Sequence, residues 1–187
     1  MADSGVAHRD VKSDNIIVNP DTLAIKIIDF GLATLNASSL SAEDNQPIGT
    51  PVYMAPAVLT CESKKMYKLI ASDLWSTGIV FWECLLGKHP FANVANKKEL
   101  VGEQLKRHDF NGYSPSAQHL LEGLLTVDED ARMTAADARS FIRSIGKDRR
   151  SSGDLVGSHG EGRPPRSHSY CITRRKSSGD LNVVLTC

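Results

Sequence analysis

The stretch His8-Arg9-Asp10-Val11-Lys12-Ser13-Asp14-Asn15 is followed, two short apolar runs later, by Asp29-Phe30-Gly31. The two runs, residues 16–18 and 24–28, are rich in β-branched side chains. They are separated by the turn formers Asn19-Pro20-Asp21-Thr22, so the sequence predicts a β-hairpin here. Either motif alone is short enough to occur by chance, whereas both in this order with a hairpin between them are informative.

The two motifs resemble the H-R-D-x-K-x-x-N and D-F-G signatures of the protein kinases. Residues 49–56, Gly-Thr-Pro-Val-Tyr-Met-Ala-Pro, are similar to the end of a kinase activation segment. Residues 72–78, Ser-Asp-Leu-Trp-Ser-Thr-Gly, are similar to the start of the family's central buried helix. The resemblance covers residues 1–146 and implies the C-terminal lobe of a eukaryotic-type serine/threonine protein kinase. We therefore expect a mainly α fold with a small β-hairpin, followed by a disordered basic tail.

The resemblance implies a role for the polar residues of both motifs. Phosphoryl transfer needs a positioned hydroxyl nucleophile and neutralisation of charge on the phosphate oxygens. Asp10 matches the catalytic base, and Lys12 matches the catalytic lysine that faces the γ-phosphate of ATP. Asn15 and Asp29 match the two ligands of Mg²⁺, a cation that prefers oxygen donors. The implied cofactors of the complete domain are ATP and Mg²⁺, bound through Lys12, Asn15 and Asp29.

The same resemblance implies two kinds of partner. Arg9 is similar to the arginine that pairs with a phosphorylated activation loop in many kinases. The candidate sites for that phosphate are Thr34, Ser38, Ser39 and Ser41, among which the sequence does not choose. Lys12, together with Gly49-Thr50-Pro51, favours serine/threonine specificity. We expect protein substrates that carry Ser or Thr, and an upstream activating kinase.

Helix signals dominate the rest of residues 1–146. A buried helix is predicted from the N-cap Ser72 to Leu86, ended by Gly87 and Pro90. Three further helices are predicted: residues 96–107, a helix from the N-cap Ser114 (with Pro115 first) to about Thr126, and one that opens at Thr134 and closes before Gly146. The spacing of Thr134 and Asp137 resembles a capping box.

The tail, residues 147–187, differs from the globule in composition and charge. The whole chain balances 22 basic against 22 acidic side chains, but residues 1–146 hold 14 and 18 of them and residues 147–187 hold 8 and 4. The neutral total gives no argument for a nucleic acid or a membrane as a partner. The tail is rich in Ser, Gly, Arg and Pro and is predicted to be disordered, because it has little apolar surface to bury.

The tail also contains a near-repeat. Residues 149–155, Arg-Arg-Ser-Ser-Gly-Asp-Leu, return as residues 175–181, Arg-Lys-Ser-Ser-Gly-Asp-Leu. Ser152 and Ser178 each follow an arginine by three residues, so they are candidate phosphorylation sites that would dock a phosphoserine reader. Low-complexity drift is the alternative interpretation.

The compartment is inferred from what the sequence does not show. The four cysteines form no C-x-x-C pair, which favours reduced thiols. The first fifteen residues carry five charged side chains and leave no room for a signal peptide. The most apolar window, residues 74–86, is interrupted by Glu83 and is too short to span a bilayer. We expect a cytoplasmic protein, with the nucleus as the alternative.

Two features depart from the family pattern. The H-R-D motif begins at residue 8, so the Gly-rich loop, the strand lysine and its glutamate partner are expected to be missing and the chain to be truncated. Ala57 stands where the family has a glutamate that pairs with a buried arginine, here matched by Arg132. Removing one partner of such a pair costs on the order of 3–5 kcal/mol. Arg132 is therefore expected to find another acceptor, with Glu62 as a candidate, and Ala57→Glu to raise the melting temperature.

Two functions follow from these observations. The first is transfer of the ATP γ-phosphate to protein Ser or Thr by the complete domain, with this chain alone weak or inactive. The second is a catalytically inactive, pseudokinase-like interaction module or a truncated gene product.

Overall fold

The computed structural model describes residues 1–35, 47–59, 68–91, 113–151, 172–177 and 180–185. It contains strands β1 (Ile16–Val18) and β2 (Ile25–Ile27) and helices α1 (Pro56–Leu59), α2 (Leu69–Leu86), α3 (Pro115–Leu124) and α4 (Ala135–Ser151). Two C-terminal strands follow, β3 (Ile172–Ser177) and β4 (Asp180–Leu185). The described residues also contain four 3-10 turns: Ala2–Ser4, Ser13–Asn15, Phe30–Leu32 and Pro51–Tyr53. The predicted fold class, mainly helical with a small hairpin, is confirmed.

The predicted hairpin is formed by β1 and β2, which pair antiparallel with Ile16 opposite Ile27 and Val18 opposite Ile25. Asn19 closes the turn, since its side-chain Oδ1 accepts the Asp21 N–H at 3.0 Å and the Thr22 N–H at 2.9 Å. Such an Asx turn explains why asparagine suits this position. The hairpin begins directly after the motif of residues 8–15 and ends two residues before Asp29.

Helix α2 is the central element of the hydrophobic core. Its side chains Trp75, Ile79 and Trp82 are at most 2% exposed. The helix begins at Leu69, whereas Ser72 was predicted as its N-cap, because the buried Leu69 extends the apolar face by one turn. It ends at Leu86 as predicted, with Gly87 in the left-handed conformation at φ 65°.

The same helix is long and apolar enough to cross a membrane by length and composition, and no other helix of the described residues is. Half of that window is buried inside the protein. Burial of this kind is expected of a core helix, so the prediction of a buried helix is confirmed, although the helix is longer than the predicted apolar window.

Both predicted helix caps after residue 113 are present. The Ser114 Oγ accepts the Ala117 N–H at 3.2 Å, and Pro115 is the first residue of α3. The Thr134 Oγ1 accepts the Asp137 N–H at 3.2 Å while Asp137 Oδ2 accepts the Thr134 N–H at 3.3 Å, which is a reciprocal capping box. The helix predicted at 96–107 lies outside the described residues.

Two parts of the tail differ from the predicted disorder. Helix α4 continues through Gly146 to Ser151, because one glycine costs a helix only about 1 kcal/mol and helix formers follow it. Strands β3 and β4 then join the hairpin in a four-stranded sheet of order β2-β1-β4-β3. The prediction averaged composition over the whole tail and so missed the run Leu181-Asn182-Val183-Val184-Leu185, which has strand-forming character.

Candidate active site

The loop of residues 8–15, which resembles the catalytic loop of kinases and is called by that name below, is anchored through its main chain to Asp73, a buried residue of α2. The Asp73 Oδ2 accepts the His8 N–H at 2.6 Å, and its Oδ1 accepts the Arg9 N–H at 2.9 Å. Arg9 adopts the left-handed conformation, at φ 67°. Consecutive N–H groups aimed at one carboxylate form an anion-binding concavity. Burial raises the pKa of Asp73 although both hydrogen bonds act to lower it.

His8 connects the catalytic loop to the second motif. Its ring is fully buried, and Nε2 lies 2.9 Å from the Ile28 carbonyl oxygen while Nδ1 accepts the Asp10 N–H at 3.3 Å. This pattern assigns the proton to Nε2. The ring also meets Phe30 edge-on, with the centroids 4.8 Å apart. His8 therefore holds Asp10 on one side and the segment before Asp29 on the other.

The carboxylate of Asp10 is the centre of a compact hydrogen-bonded group with Lys12 and Thr50. Lys12 Nζ lies 2.6 Å from Asp10 Oδ2 and 2.9 Å from Thr50 Oγ1. Thr50 donates to Asp10 Oδ1 from its N–H at 2.8 Å and from its hydroxyl at 2.7 Å. Burial acts to raise the pKa of Asp10, but the hydrogen bonds from Lys12 and Thr50 outweigh it and lower the pKa below its ordinary value.

Asn15 lies on the same side of the loop as Asp10. Its amide Nδ2 donates to the Asp10 carbonyl oxygen at 2.8 Å and to Asp10 Oδ2 at 3.3 Å. Both contacts use the nitrogen, so neither occupies the side-chain oxygen that would bind a metal. The structure thus brings together three of the four predicted site residues, Asp10, Lys12 and Asn15.

Asp29 is placed differently from these three residues. It is exposed and has a left-handed φ of 63°, and among the described residues its Oδ1 accepts a single long hydrogen bond, 3.4 Å, from the Gly31 N–H. Its loop is tied to the catalytic loop through the main chain, since the Ile28 N–H donates to the Asn15 carbonyl at 2.9 Å. No described hydrogen bond joins the Asp29 side chain to Asp10, Lys12 or Asn15.

The side-chain oxygens of Asp29 and Asn15 fit a Mg²⁺ ion that is bound partly by the phosphates of the substrate. Within the part of the chain that the structure describes, no group of three or more His, Cys, Asp and Glu side chains could hold a metal. Magnesium in phosphoryl-transfer sites is commonly bound through one or two protein oxygens plus the phosphates of the substrate. One exposed carboxylate and one amide oxygen match that requirement.

Gly49 positions Thr50 over the carboxylate. It has φ 121°, and a Cβ atom at this residue would lie 2.3 Å from the Arg9 carbonyl oxygen. Only glycine accommodates both the backbone conformation and this close approach. The activation-segment end can therefore cross directly over the catalytic loop.

Comparison with known proteins decides the family, because the protein kinase domain profile matches residues 1–141. The chain belongs to the protein kinase family. It is 37% identical over 138 residues to CBL-interacting serine/threonine-protein kinase 5 of Arabidopsis thaliana, a match that covers 70% of this chain and 29% of that protein. It is 32% identical over 141 residues to human 3-phosphoinositide-dependent protein kinase 1, which covers 73% of this chain and 24% of that kinase.

A third kinase, calcium-dependent protein kinase 3 of Plasmodium yoelii yoelii, is 34% identical over 141 residues, with 71% of this chain and 25% of that protein covered. The chain thus matches between 24% and 29% of the length of these relatives. The resemblance to serine/threonine kinases that the motifs indicated is confirmed.

A buried polar network, which the sequence analysis did not predict, joins Ser13 of the catalytic loop to Tyr53 and to Glu83 of α2. The Tyr53 hydroxyl lies 2.9 Å from Ser13 Oγ and donates to Glu83 Oε1 at 2.9 Å. Burial raises the pKa values of both Tyr53 and Glu83. The available signal was Glu83, a carboxylate inside the most apolar stretch of the sequence, which must find a donor if it is buried.

Arg132 shows how the kinase lobe accommodates Ala57. Its guanidinium is buried and donates to three backbone carbonyl oxygens: Thr126 at 2.8 Å, Ala71 at 2.7 Å and Val127 at 3.1 Å. Its Cζ also lies 5.3 Å from the centroid of the Trp75 ring. The expectation that Arg132 finds another acceptor is confirmed, whereas Glu62 lies outside the described residues.

The melting-temperature effect of Ala57→Glu stays a prediction. Three carbonyls already accept from Arg132, so we expect a rise of only a few degrees, corresponding to about 1 kcal/mol. Differential scanning calorimetry against Ala57→Gln, which lacks the charge, measures it. A melting temperature equal to or below that of the Gln variant would contradict it.

Among the residues proposed for activation-loop phosphorylation, Thr34 alone is described, and it forms a β-bridge with Ala7. Ser38, Ser39 and Ser41 lie outside the described residues.

Proposed function

We propose that this chain carries the phosphoryl-transfer part of a serine/threonine kinase active site, which in the complete domain moves the γ-phosphate of ATP to a protein Ser or Thr. The observation that carries the proposal is the Asp10 carboxylate, held between Lys12 and Thr50 at the start of a loop that continues into Asn15. A base of this kind must be fixed in place, since catalysis in this class is mainly positioning and electrostatics.

Asp10 would accept the proton of the substrate hydroxyl as that oxygen attacks the γ-phosphorus. Its lowered pKa keeps it ionised at neutral pH, so it is ready to accept a proton. Lys12, whose ammonium group bonds to both Asp10 and Thr50, adds a positive charge next to the position where the phosphate oxygens would lie. Neutralising those oxygens is the main electrostatic task of such sites.

Asp29 and the side-chain oxygen of Asn15 would hold Mg²⁺, which, when bound, neutralises phosphate charge. The exposed position of Asp29 leaves its carboxylate accessible for this purpose. Main-chain contact between Ile28 and Asn15 keeps the two ligands on neighbouring segments.

Partners and location follow from the same proposal. A kinase domain acts on protein substrates and is commonly activated by an upstream kinase, for which Arg9 and the activation segment are the proposed elements. We further propose a cytoplasmic location, a phosphoserine reader for the tail, and no nucleic-acid or membrane partner. The neutral charge of the chain supports the absence of a nucleic-acid partner.

The proposal is tested by radiolabelled phosphate transfer from Mg-ATP to a basic serine peptide. Asp10→Asn should lower the rate by at least 100-fold, the usual contribution of a general base. The matched control is Asp14→Asn, which removes an exposed carboxylate from the same loop and should retain most of the rate.

Equal and measurable rates for Asp10→Asn and the unaltered chain would overturn the role of Asp10. If neither transfers phosphate, the alternative of an inactive interaction module is favoured. An Mg-ATP titration followed by NMR then tests the nucleotide site itself, because signals of Asn15 and Gly31 should shift in the unaltered chain and not in Asp29→Asn.

A further inference from the structure

We propose that the second edge of strand β1 is a docking site for an extended segment, and that the chain's own C-terminal hairpin, β3–β4, occupies it by strand addition. The sheet order β2-β1-β4-β3 places β2 on one edge of β1 and β4 on the other. This inference does not depend on the proposed catalytic role of Asp10.

The register of the added strand is defined. Ile17 is opposite Val184 and Val18 is opposite Val183, in an antiparallel pairing. All four of these residues are β-branched, a type that favours strands and stabilises a sheet through cross-strand pairs. Strand addition needs main-chain hydrogen bonds for affinity and alternating side chains for register. The segment 181–185 supplies apolar residues at every second position, Leu181, Val183 and Leu185.

The hairpin β1–β2 should gain stability from a further strand. A two-stranded ribbon of three residues per strand is marginal by itself, and an unpaired edge is a ready template for another strand. β4 is paired over six positions with β3, from Ile172 opposite Leu185 to Ser177 opposite Asp180. The C-terminal segment therefore pairs with β1 as one strand of a hairpin rather than as a single strand.

The two copies of the near-repeat in the tail lie in different secondary structures where the structure describes them. In its second copy, residues 175–177 end β3 and residues 180–181 begin β4. Its first copy, residues 149–155, begins inside α4. Residues 149–151 of the first copy are therefore helical, whereas residues 175–177 of the second copy form the end of a strand. Val183-Val184 follows the second copy alone.

Docking brings the tail to the catalytic loop. β4 contacts the 3-10 turn Ser13–Asn15 as well as β1. A strand at this edge therefore contacts the turn that includes Asn15. The docking site is therefore adjacent to the metal-binding side of the loop, which gives the C-terminal segment a route to influence it.

Hydrogen–deuterium exchange on the intact 187-residue chain tests the docking. In the unaltered protein, amides of residues 16–18 and 180–185 should both be protected. Val184→Pro removes a donor from a strand paired on both sides, a position that proline does not tolerate. It should speed exchange at residues 16–18 by at least tenfold and leave residues 69–86 of α2 unchanged. The control Ser158→Pro, elsewhere in the tail, should change neither.

A crosslink provides the second, independent measurement. Val18→Cys with Val183→Cys, in a chain whose four native cysteines are replaced by serine, should form an intramolecular link with a short thiol crosslinker. Val18→Cys with Val156→Cys is the control and should not. This measurement decides the matter if Val184→Pro also speeds exchange in α2, since that variant would then have unfolded.

The proposal is overturned by rapid exchange of residues 180–185 in the unaltered chain, or by the absence of the 18–183 link. A link that appears only between two chains, as a dimer that disappears on dilution, would overturn the intramolecular occupant and assign the edge to a second copy.

Discussion

The loop that carries Asp10 and the loop that carries Asp29 are built in opposite ways. Asp10 is 8% exposed, and its carboxylate oxygens accept from Lys12, Asn15 and Thr50. Asp29 is exposed, and from the described part of the chain its carboxylate accepts one hydrogen bond, of 3.4 Å. The lobe therefore determines the position of the proposed base by itself. The proposed metal ligand is left for the metal and the nucleotide to position.

The largest effect should come from the anchor of the Asp10 loop. Asp73→Asn leaves one acceptor for two buried N–H groups and puts an N–H₂ group against the other donor. We expect a loss of about 2–4 kcal/mol in the free energy of unfolding. The matched Asp29→Asn should change it by less than about 0.5 kcal/mol, as for an exposed residue. Urea denaturation of both variants measures the difference, and similar losses would break the comparison.

The next effect separates two glycines, one in each region. Gly49→Ala forces a side chain into a left-handed backbone with 2.3 Å to the Arg9 carbonyl, and should cost about 2–3 kcal/mol. In Gly31→Ala, the added Cβ would lie 3.3 Å from Asp29 Oδ1, a side-chain atom on an exposed residue that can move. That change should cost less than about 1 kcal/mol. Thermal unfolding compares the two, and an equal cost would show that the Asp29 loop is as rigid as the Asp10 loop.

A smaller effect is expected from the network below the Asp10 loop. Tyr53→Phe removes the hydroxyl that bonds to Ser13 and Glu83, and should destabilise the protein by about 1–2 kcal/mol. Ser13→Ala keeps the bond from Tyr53 to Glu83 and should cost about half as much. Burial raises the folded-state pKa of Glu83 above its ordinary value of 4.5, so the stability from this group is greatest below that value and is lost as pH rises through the folded-state pKa. A larger loss for Ser13→Ala than for Tyr53→Phe would contradict this account.

The smallest effect is on the titration of Asp10. Thr50→Val deletes the 2.7 Å hydroxyl bond and should raise the pKa of Asp10 toward its ordinary value of 3.8, as followed by NMR of labelled carboxyl carbons. A folded-state pKa below the unfolded value contributes stability that is present at neutral pH and is lost as pH falls below about 4. The variant should therefore lose less stability on acidification. Thr34→Val, whose hydroxyl bonds to Leu35 O at 3.4 Å, is the control. An unmoved Asp10 titration would remove Thr50 from the account.

Features set by near neighbours in the chain could be predicted from the sequence. The hairpin follows from two β-branched runs around Asn19-Pro20, and the caps of α3 and α4 follow from the residues Ser114 and Thr134. The residue types of Asp10, Lys12, Asn15 and Asp29 at their spacing predicted the family, which the comparisons confirm. The cap partners are separated by three residues, and the four site residues lie within a span of nineteen, so each signal is contained in one short window.

Tertiary structure alone decided the features that join distant parts of the chain. Asp73 meets His8 and Arg9 across 65 and 64 residues, Tyr53 meets Glu83 across 30, and Arg132 finds the Ala71 carbonyl across 61. The pairing of β4 with β1 joins residues 17 and 184. A backbone N–H or carbonyl is the same chemical group at every residue, so a contact to it leaves no mark in the sequence. The residue types of the site could therefore be predicted from the sequence. That the loop of Asp10 is held by Asp73 of α2 while Asp29 is exposed was decided by the tertiary structure.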